Sequence, residues 1–351
     1  MTRRRPALLI IGGLLWCTGA QAQRNWAEVA VPVYNPVHAM QGLHKAWTAP
    51  RAQEFATAAS ALSAAMHTHC TRAATAQPSF QAVRQSWREA TTAWERLSAV
   101  PIGPVIERRS LRQIDFTPTR PALIEKAVAT QPQGPAAMQR IGTPAKGLPA
   151  LEWLLWRQPA ASGTPACAYG TEVAREIDTE ATALDTAFRA LAERPTDAWD
   201  DEAAVAGMNE FINQWVGATE RLRWAHMEKP LRAGTPKDLP RAASASTVTS
   251  WAAQWGAVRS LARFEAEATP RPGEGLVPIE TYLRSRGHNA LADRWVNAVA
   301  TADTDMQAAT PTSRSKVLAA AKSLAALKRL AEDEVAPALD VRIGFSDADG
   351  D

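Results

Sequence analysis

Apolar residues along this chain recur at steps of three and four, the period of one buried helical face. Phe55, Ala59, Leu62, Met66 and Cys70 form one such stripe, and Phe80, Val83, Trp87, Ala90, Trp94 and Leu97 form the next. The pattern returns from Tyr169 to Leu191 through Val173, Ile177, Ala181, Leu184 and Phe188. A further helix is predicted from Asp201 to Glu228, carrying Met208, Phe211, Trp215 and Leu222. Trp251, Trp255, Val258 and Leu261 mark another, as do Leu291, Trp295, Val299 and Ala302, and a last runs from Ser315 to about Val335. β-branched runs are few. The predicted fold is therefore all-α, two helical bundles packed side by side. Periodicity breaks at ERPTDAWD (Glu193 to Asp200), which sets the expected domains at 23–195 and 196–351. A helix is expected to begin near Pro36 and to be ended or interrupted by Pro50.

Between the second and third stripes the chain is irregular. Val100 to Pro121 holds several prolines around Arg108, Arg109, Arg112 and Asp115, a composition suited to wrapping the end of a bundle. Gln131 to Lys146 reads as a loop leading into GTPAKGLPALEWLLWR, residues 142 to 157. There Gly142, Pro144 and Gly147 allow a sharp turn, and Pro149 suits the first turn of a helix. Glu152 follows among apolar neighbours, so its carboxylate is either solvated or held in a pocket. Glu95, Arg112, Asp115 and Glu152 are the preferred members of an ion network at the bundle end, with Trp153 lining the same cleft; ordinary surface charge is the alternative.

The first residues change the picture of charge and compartment. MTRRR, an apolar run and Ala20-Gln21-Ala22 have the form of a signal peptide over 1–22, cleaved after Ala22, and imply export to the periplasm. Trp16 before Cys17 is too large for a lipobox, leaving a lipid-anchored form as the minor alternative. Of the 39 basic residues, Arg3, Arg4 and Arg5 leave with that segment, giving a mature chain with 36 against 36 acidic ones. Such a neutral chain offers no general argument for nucleic acid, and no later run is long and apolar enough to cross a bilayer. Two cysteines remain in an oxidising compartment, so Cys70 and Cys167 are expected to form a disulfide.

The run GLPALE (Gly147 to Glu152) resembles the GxHxxE hallmark of the imelysin, or M75 peptidase-like, family, with Pro149 where the family has histidine. The closing GFSDADGD and the segment RRSLRQIDFTP (108–118) are similar to family segments in the same order. The resemblance implies an all-helical fold with a site between its halves, and a link with iron uptake. It also implies a metal half-site of histidine and glutamate three apart, but proline has no donor electrons. No catalytic residue and no metal ligand is therefore assigned, and no cofactor; bound iron or another metal is not favoured. HExxH is absent, DADGD matches a calcium loop poorly, and HTHC (67–70) does not align its histidines on one face. His38, His44, His226 and His288 read as boundary or surface residues. The expected function is a non-catalytic binding or accessory protein recognising a small ligand, a metal complex or an envelope protein. The alternatives are an M75-like hydrolase using Glu152, or a purely structural envelope protein.

Overall fold

The computed structural model describes residues 26, 30–71, 80–234, 238–265 and 268–344. The proposed signal peptide, Cys17 and the closing tail after Gly344 lie outside these residues. The chain divides into two units, Met1–Val31 and Pro32–Asp351. In the first, only Trp26, Ala30 and Val31 are described. The second is all helix and loop, with no strand among the described residues.

Its helices run in order as α1 (Pro36–Leu43), α2 (Ala49–Thr71), α3 (Phe80–Ser98), α4 (Pro104–Glu107), α5 (Ser110–Ile114), α6 (Pro121–Thr130) and α7 (Gly134–Met138). They continue with α8 (Gly147–Glu152), α9 (Pro165–Ala192), α10 (Asp201–Glu220), α11 (Lys229–Arg232) and α12 (Thr247–Ala262). The last are α13 (Ile279–Ser285), α14 (Asn289–Ala308), α15 (Arg314–Leu330) and α16 (Ala336–Ala338). The stretch expected to be irregular, 100–121, thus holds two short helices.

The apolar stripes face one another. Phe55, Leu62 and Met66 of α2, Trp87 and Trp94 of α3, and Val173, Leu184 and Phe188 of α9 are all fully buried in one core. Leu148, Leu151, Leu154 and Leu155 complete it from α8 and the turn after it. Further along the chain, α14 packs on α15 and α12 on α14. Trp215 and Trp295 meet there with ring centroids 4.9 Å apart. Their indole N–H groups donate to Val258 O at 2.9 Å and Ala262 O at 2.8 Å, so each large side chain is buried without an orphaned polar atom. Contact between α3 and α12 joins the earlier helices to the later ones.

The expected Cys70–Cys167 bridge is present, with Cα atoms 5.5 Å apart. It ties the end of α2 to the start of α9 across a sequence separation of 97. A cross-link over that length restricts the unfolded chain strongly.

Pro50 does not end its helix. Four described segments have wide, π-type turns, His44–Thr48, Trp153–Arg157, Arg221–Glu228 and Ala331–Val335. Each is followed two residues later by a proline, Pro50, Pro159, Pro230 and Pro337. A helical proline lacks its N–H and crowds the carbonyl four residues back; a widened turn relieves that crowding. Two of the freed carbonyls are taken by neighbouring side chains. Leu155 O accepts from Arg84 Nε at 2.9 Å and Nη2 at 2.6 Å, and His226 O accepts from Trp251 Nε1 at 3.1 Å.

Candidate functional site

The GLPALE helix owes its place to its first residue. Gly147 has φ +75°, and a Cβ there would lie 2.3 Å from Ile114 O. Only glycine permits both the left-handed backbone and that approach, which sets the start of α8 against the end of α5, beside Asp115. From the other side, Trp87 Nε1 donates to Leu148 O at 3.0 Å. Pro149 is buried in this packing.

Glu152, also buried, is met by the loop between α11 and α12. Ser244 donates to Glu152 Oε1 twice, from its backbone N–H at 2.9 Å and from its hydroxyl at 2.8 Å. The same loop carries Arg241, whose side chain is 5% exposed. Its Nε donates to Glu95 Oε1 at 2.9 Å and its Nη2 to Asp115 Oδ2 at 2.6 Å. Its guanidinium carbon lies 5.7 Å from the centre of the Trp87 ring, within cation–π range. Glu95, Asp115 and Glu152 are thus gathered around one loop, each from a different element.

Arg112 is not part of this group. It is exposed at the end of α5, on a helical turn whose neighbour Arg108 pairs instead with Glu180 at 2.9 and 2.7 Å. The cation that pairs with Asp115 comes from 126 residues further on. Trp153 is partly buried against the apolar core, while Trp156 stacks edge-on to Trp87 at 4.9 Å and has the Arg88 guanidinium 5.1 Å from its centre.

A chain of hydrogen bonds leads away from Glu95. Ser250 Oγ donates to Glu95 Oε1 at 2.7 Å, and Gln254 Nε2 donates to Ser250 Oγ at 3.1 Å. Gln254 Oε1 then faces His226 Nδ1 at 2.7 Å. Because an amide oxygen only accepts, His226 carries its proton on Nδ1, leaving Nε2 as a lone pair. The expectation of a boundary or surface position fails for His44 but not for His226. His226 sits partly buried in the π-type turn before Pro230, and His44 is buried in the one before Pro50, with Nδ1 3.0 Å from Thr48 Oγ1. Both stand at helical spacing from buried residues, His44 four after Met40 and His226 four after Leu222. His69 is also buried, with Nε2 3.0 Å from Ala160 O, whereas His67 and His288 are exposed.

The electrostatics follow from burial and partners. Burial alone lowers the Arg241 pKa, but the charges of Asp115, Glu95 and Glu152 and the Asp115 hydrogen bond outweigh it and raise the value. Arg241 is permanently cationic. Burial raises Glu95; Arg241 opposes that shift, Asp115 adds to it, and the Ser250 hydrogen bond opposes it. Burial and the nearby Arg221 charge pull His226 down to about 4, so its ring is neutral at pH 7. Asp115 Oδ1 is buried without a hydrogen-bond partner.

The histidine–glutamate metal half-site of the hallmark does not fit these residues. Pro149 offers no donor, Glu152 Oε1 is already bound by two groups of Ser244, and a guanidinium stands between Glu95 and Asp115. Among the described residues, no three His, Cys, Asp or Glu side chains are grouped to hold a metal ion. What the arrangement can do is hold distant parts of the chain together, with a neutral imidazole and carboxylates placed to meet groups bearing polar hydrogens.

Residues 48–336 match the family model for imelysin, the M75 peptidases. No curated protein matches the chain significantly. Among solved structures, an imelysin-like protein from Psychrobacter arcticum 273-4 is similar at 18% identity with a TM-score of 0.68, over 90% of this chain and all of that one. A protein assigned as an iron-regulated protein A precursor from Parabacteroides distasonis ATCC 8503 is similar at 13% identity and TM-score 0.68, over 88% of this chain and 96% of that one. At those identities the likeness speaks for the fold. No helix among the described residues is long and apolar enough to cross a membrane.

Proposed function

Because the chain belongs to the imelysin family, we propose that it is an exported, non-catalytic binding or accessory protein of the periplasm with a role in iron uptake. Its described body would be two helical bundles, 23–195 and 196–351, meeting at the polar junction around Arg241. That junction would recognise a small ligand, a metal complex or an envelope protein. The export reading rests on residues 1–22, and the iron link on the resemblance and on the name of the Parabacteroides relative.

The single observation that carries the non-catalytic part is the fate of Glu152. The hallmark carboxylate faces no imidazole from position 149, and its Oε1 is held by the backbone and hydroxyl of Ser244. A general base needs a lone pair aimed at a substrate proton. Glu152 instead anchors a loop.

Two assays test this reading. Purified mature protein is incubated with casein and a mixed peptide library, with and without added zinc or ferrous iron, and no cleavage is expected. A strain lacking the gene is grown under iron chelation and complemented with wild type or Asp115→Asn. Slower growth restored by wild type, and less well by the variant, is the expected result. Peptide cleavage that vanishes in Glu152→Gln would replace the proposal with a hydrolase. A detergent-sensitive envelope with unchanged iron-limited growth would replace it with a structural role.

A further inference from the structure

The resemblance implies a histidine–glutamate metal half-site, and here the histidine position is Pro149 while an arginine is held between two nearby carboxylates. We propose that Arg241 is itself the resident cation of the junction: its guanidinium is an intramolecular ligand filling a receptor made by Glu95, Asp115 and the Trp87 ring, and the ligand class that receptor accepts is guanidinium rather than a metal ion. This inference holds whether or not the protein works in iron uptake, since it concerns what occupies the junction.

Three observations converge on it. First, the contacts match the shape of the group. Two different guanidinium N–H donors reach two different carboxylates, Nε to Glu95 at 2.9 Å and Nη2 to Asp115 at 2.6 Å. A planar fork suits this arrangement, and a point charge does not. Trp87 supplies the aromatic face at 5.7 Å.

Second, the loop is shaped to deliver the group. Arg241 has φ +59° and Ala245 has φ +58°, left-handed conformations that non-glycine residues seldom adopt. Both ends are fastened around them, by Ser246 N–H to Arg241 O at 3.0 Å and by Thr247 Oγ1 to Pro240 O at 2.8 Å. Ser244 adds its two hydrogen bonds to Glu152 Oε1. Backbone strain persists only where surrounding contacts hold it. Here they hold a guanidinium against two carboxylates.

Third, Pro149 leaves the chain without the hallmark imidazole. A metal coordinated by these oxygens would sit roughly 2.0–2.6 Å from them, in the volume the guanidinium takes. With Pro149 at the hallmark histidine position, the junction lacks that metal donor and holds an internal cation.

The test uses the full mature chain. Arg241→Ala should melt at a lower temperature than wild type. Millimolar methylguanidinium should recover part of that loss in a dose-dependent way, as a ligand that binds only the folded state must. Methylammonium at equal ionic strength should not. Wild type should gain nothing, and Arg241→Ala combined with Glu95→Gln and Asp115→Asn should lose the rescue. If Arg241→Ala does not fold, the wild-type protein still decides. The Arg241 Nε–H resonance should exchange slowly with solvent and stay sharp when Mn²⁺ is added. Broadening of that resonance by stoichiometric Mn²⁺, or a folded Arg241→Ala protein that ignores methylguanidinium, would overturn the proposal.

Discussion

Two buried arginines do different work in this protein. Arg284, 3% exposed, pairs with Glu280 one turn earlier on α13 and with Asp293 at 2.8 Å on α14, whose side chain is 66% exposed. These two partners lie four and nine residues away in sequence. Arg241, 5% exposed, reaches partners 146 and 126 residues away. Arg284 trims a local corner; Arg241 locks α3, the end of α5 and the loop before α12 into one arrangement. A buried ion pair is weak evidence of net stability, because desolvation offsets attraction. What separates the two sites is which charges remain buried when the arginine is removed.

The largest expected effect follows directly. Arg241→Ala strands Glu95, 5% exposed, and part of Asp115, so a loss of about 3–5 kcal/mol is expected in denaturant unfolding. Arg284→Ala should cost less, about 1–3 kcal/mol. Glu280 keeps the Phe264 N–H at 2.9 Å, and Asp293 turns to water. Equal losses would erase the distinction between the sites.

Acid should find the junction next. His226 is pulled from 6.5 to about 4 in the folded protein. Between those values the unfolded chain binds the additional proton, so stability falls as pH drops from about 6.5 to about 4, by up to roughly 3 kcal/mol. His44, also lowered to about 4 by burial and Arg194, has the same sign. Glu95, raised, opposes them: its contribution is present at low pH and lost as pH rises through its folded value. Urea unfolding at stepped pH should show a shallower acid limb in His226→Gln than in wild type; superimposable limbs would rule out a role for His226.

Smaller effects sharpen the comparison. Ser244→Ala removes one of two donors to Glu152 and should cost about 1–2 kcal/mol. Arg112→Ala, at an exposed position outside the group, should change stability by less than about 0.5 kcal/mol. A loss of several kcal/mol at Arg112 would restore it to the network in place of Arg241.

How much of this was legible in the sequence depends on distance along the chain. The stripe from Phe55 to Cys70 and the run from Val173 to Phe188 were readable because a helix buries residues three and four apart. The disulfide was readable from compartment and cysteine count. Glu95, Asp115 and Glu152 were readable as candidate cleft carboxylates, since each stands near an apolar stripe or a turn. Their cation was not. Arg112 lay close in sequence to Asp115, while Arg241 sits in EKPLRAGTPKDLPRA, a stretch with the composition of an ordinary loop. Nothing local encodes a pairing across 126 residues. Pro50 and Pro230 misled in another way. Each follows a widened turn, holding His44 or His226, that keeps its helix going.

The central claim is that the positive charge at the junction belongs to the chain. Its most direct measurement is the metal content of the mature protein, purified without a histidine tag from iron- and zinc-supplemented culture and read by mass spectrometry. Substoichiometric traces, unchanged in Glu95→Gln, are the predicted result. One tightly held iron or zinc per chain, lost in Glu95→Gln or Asp115→Asn, would contradict it.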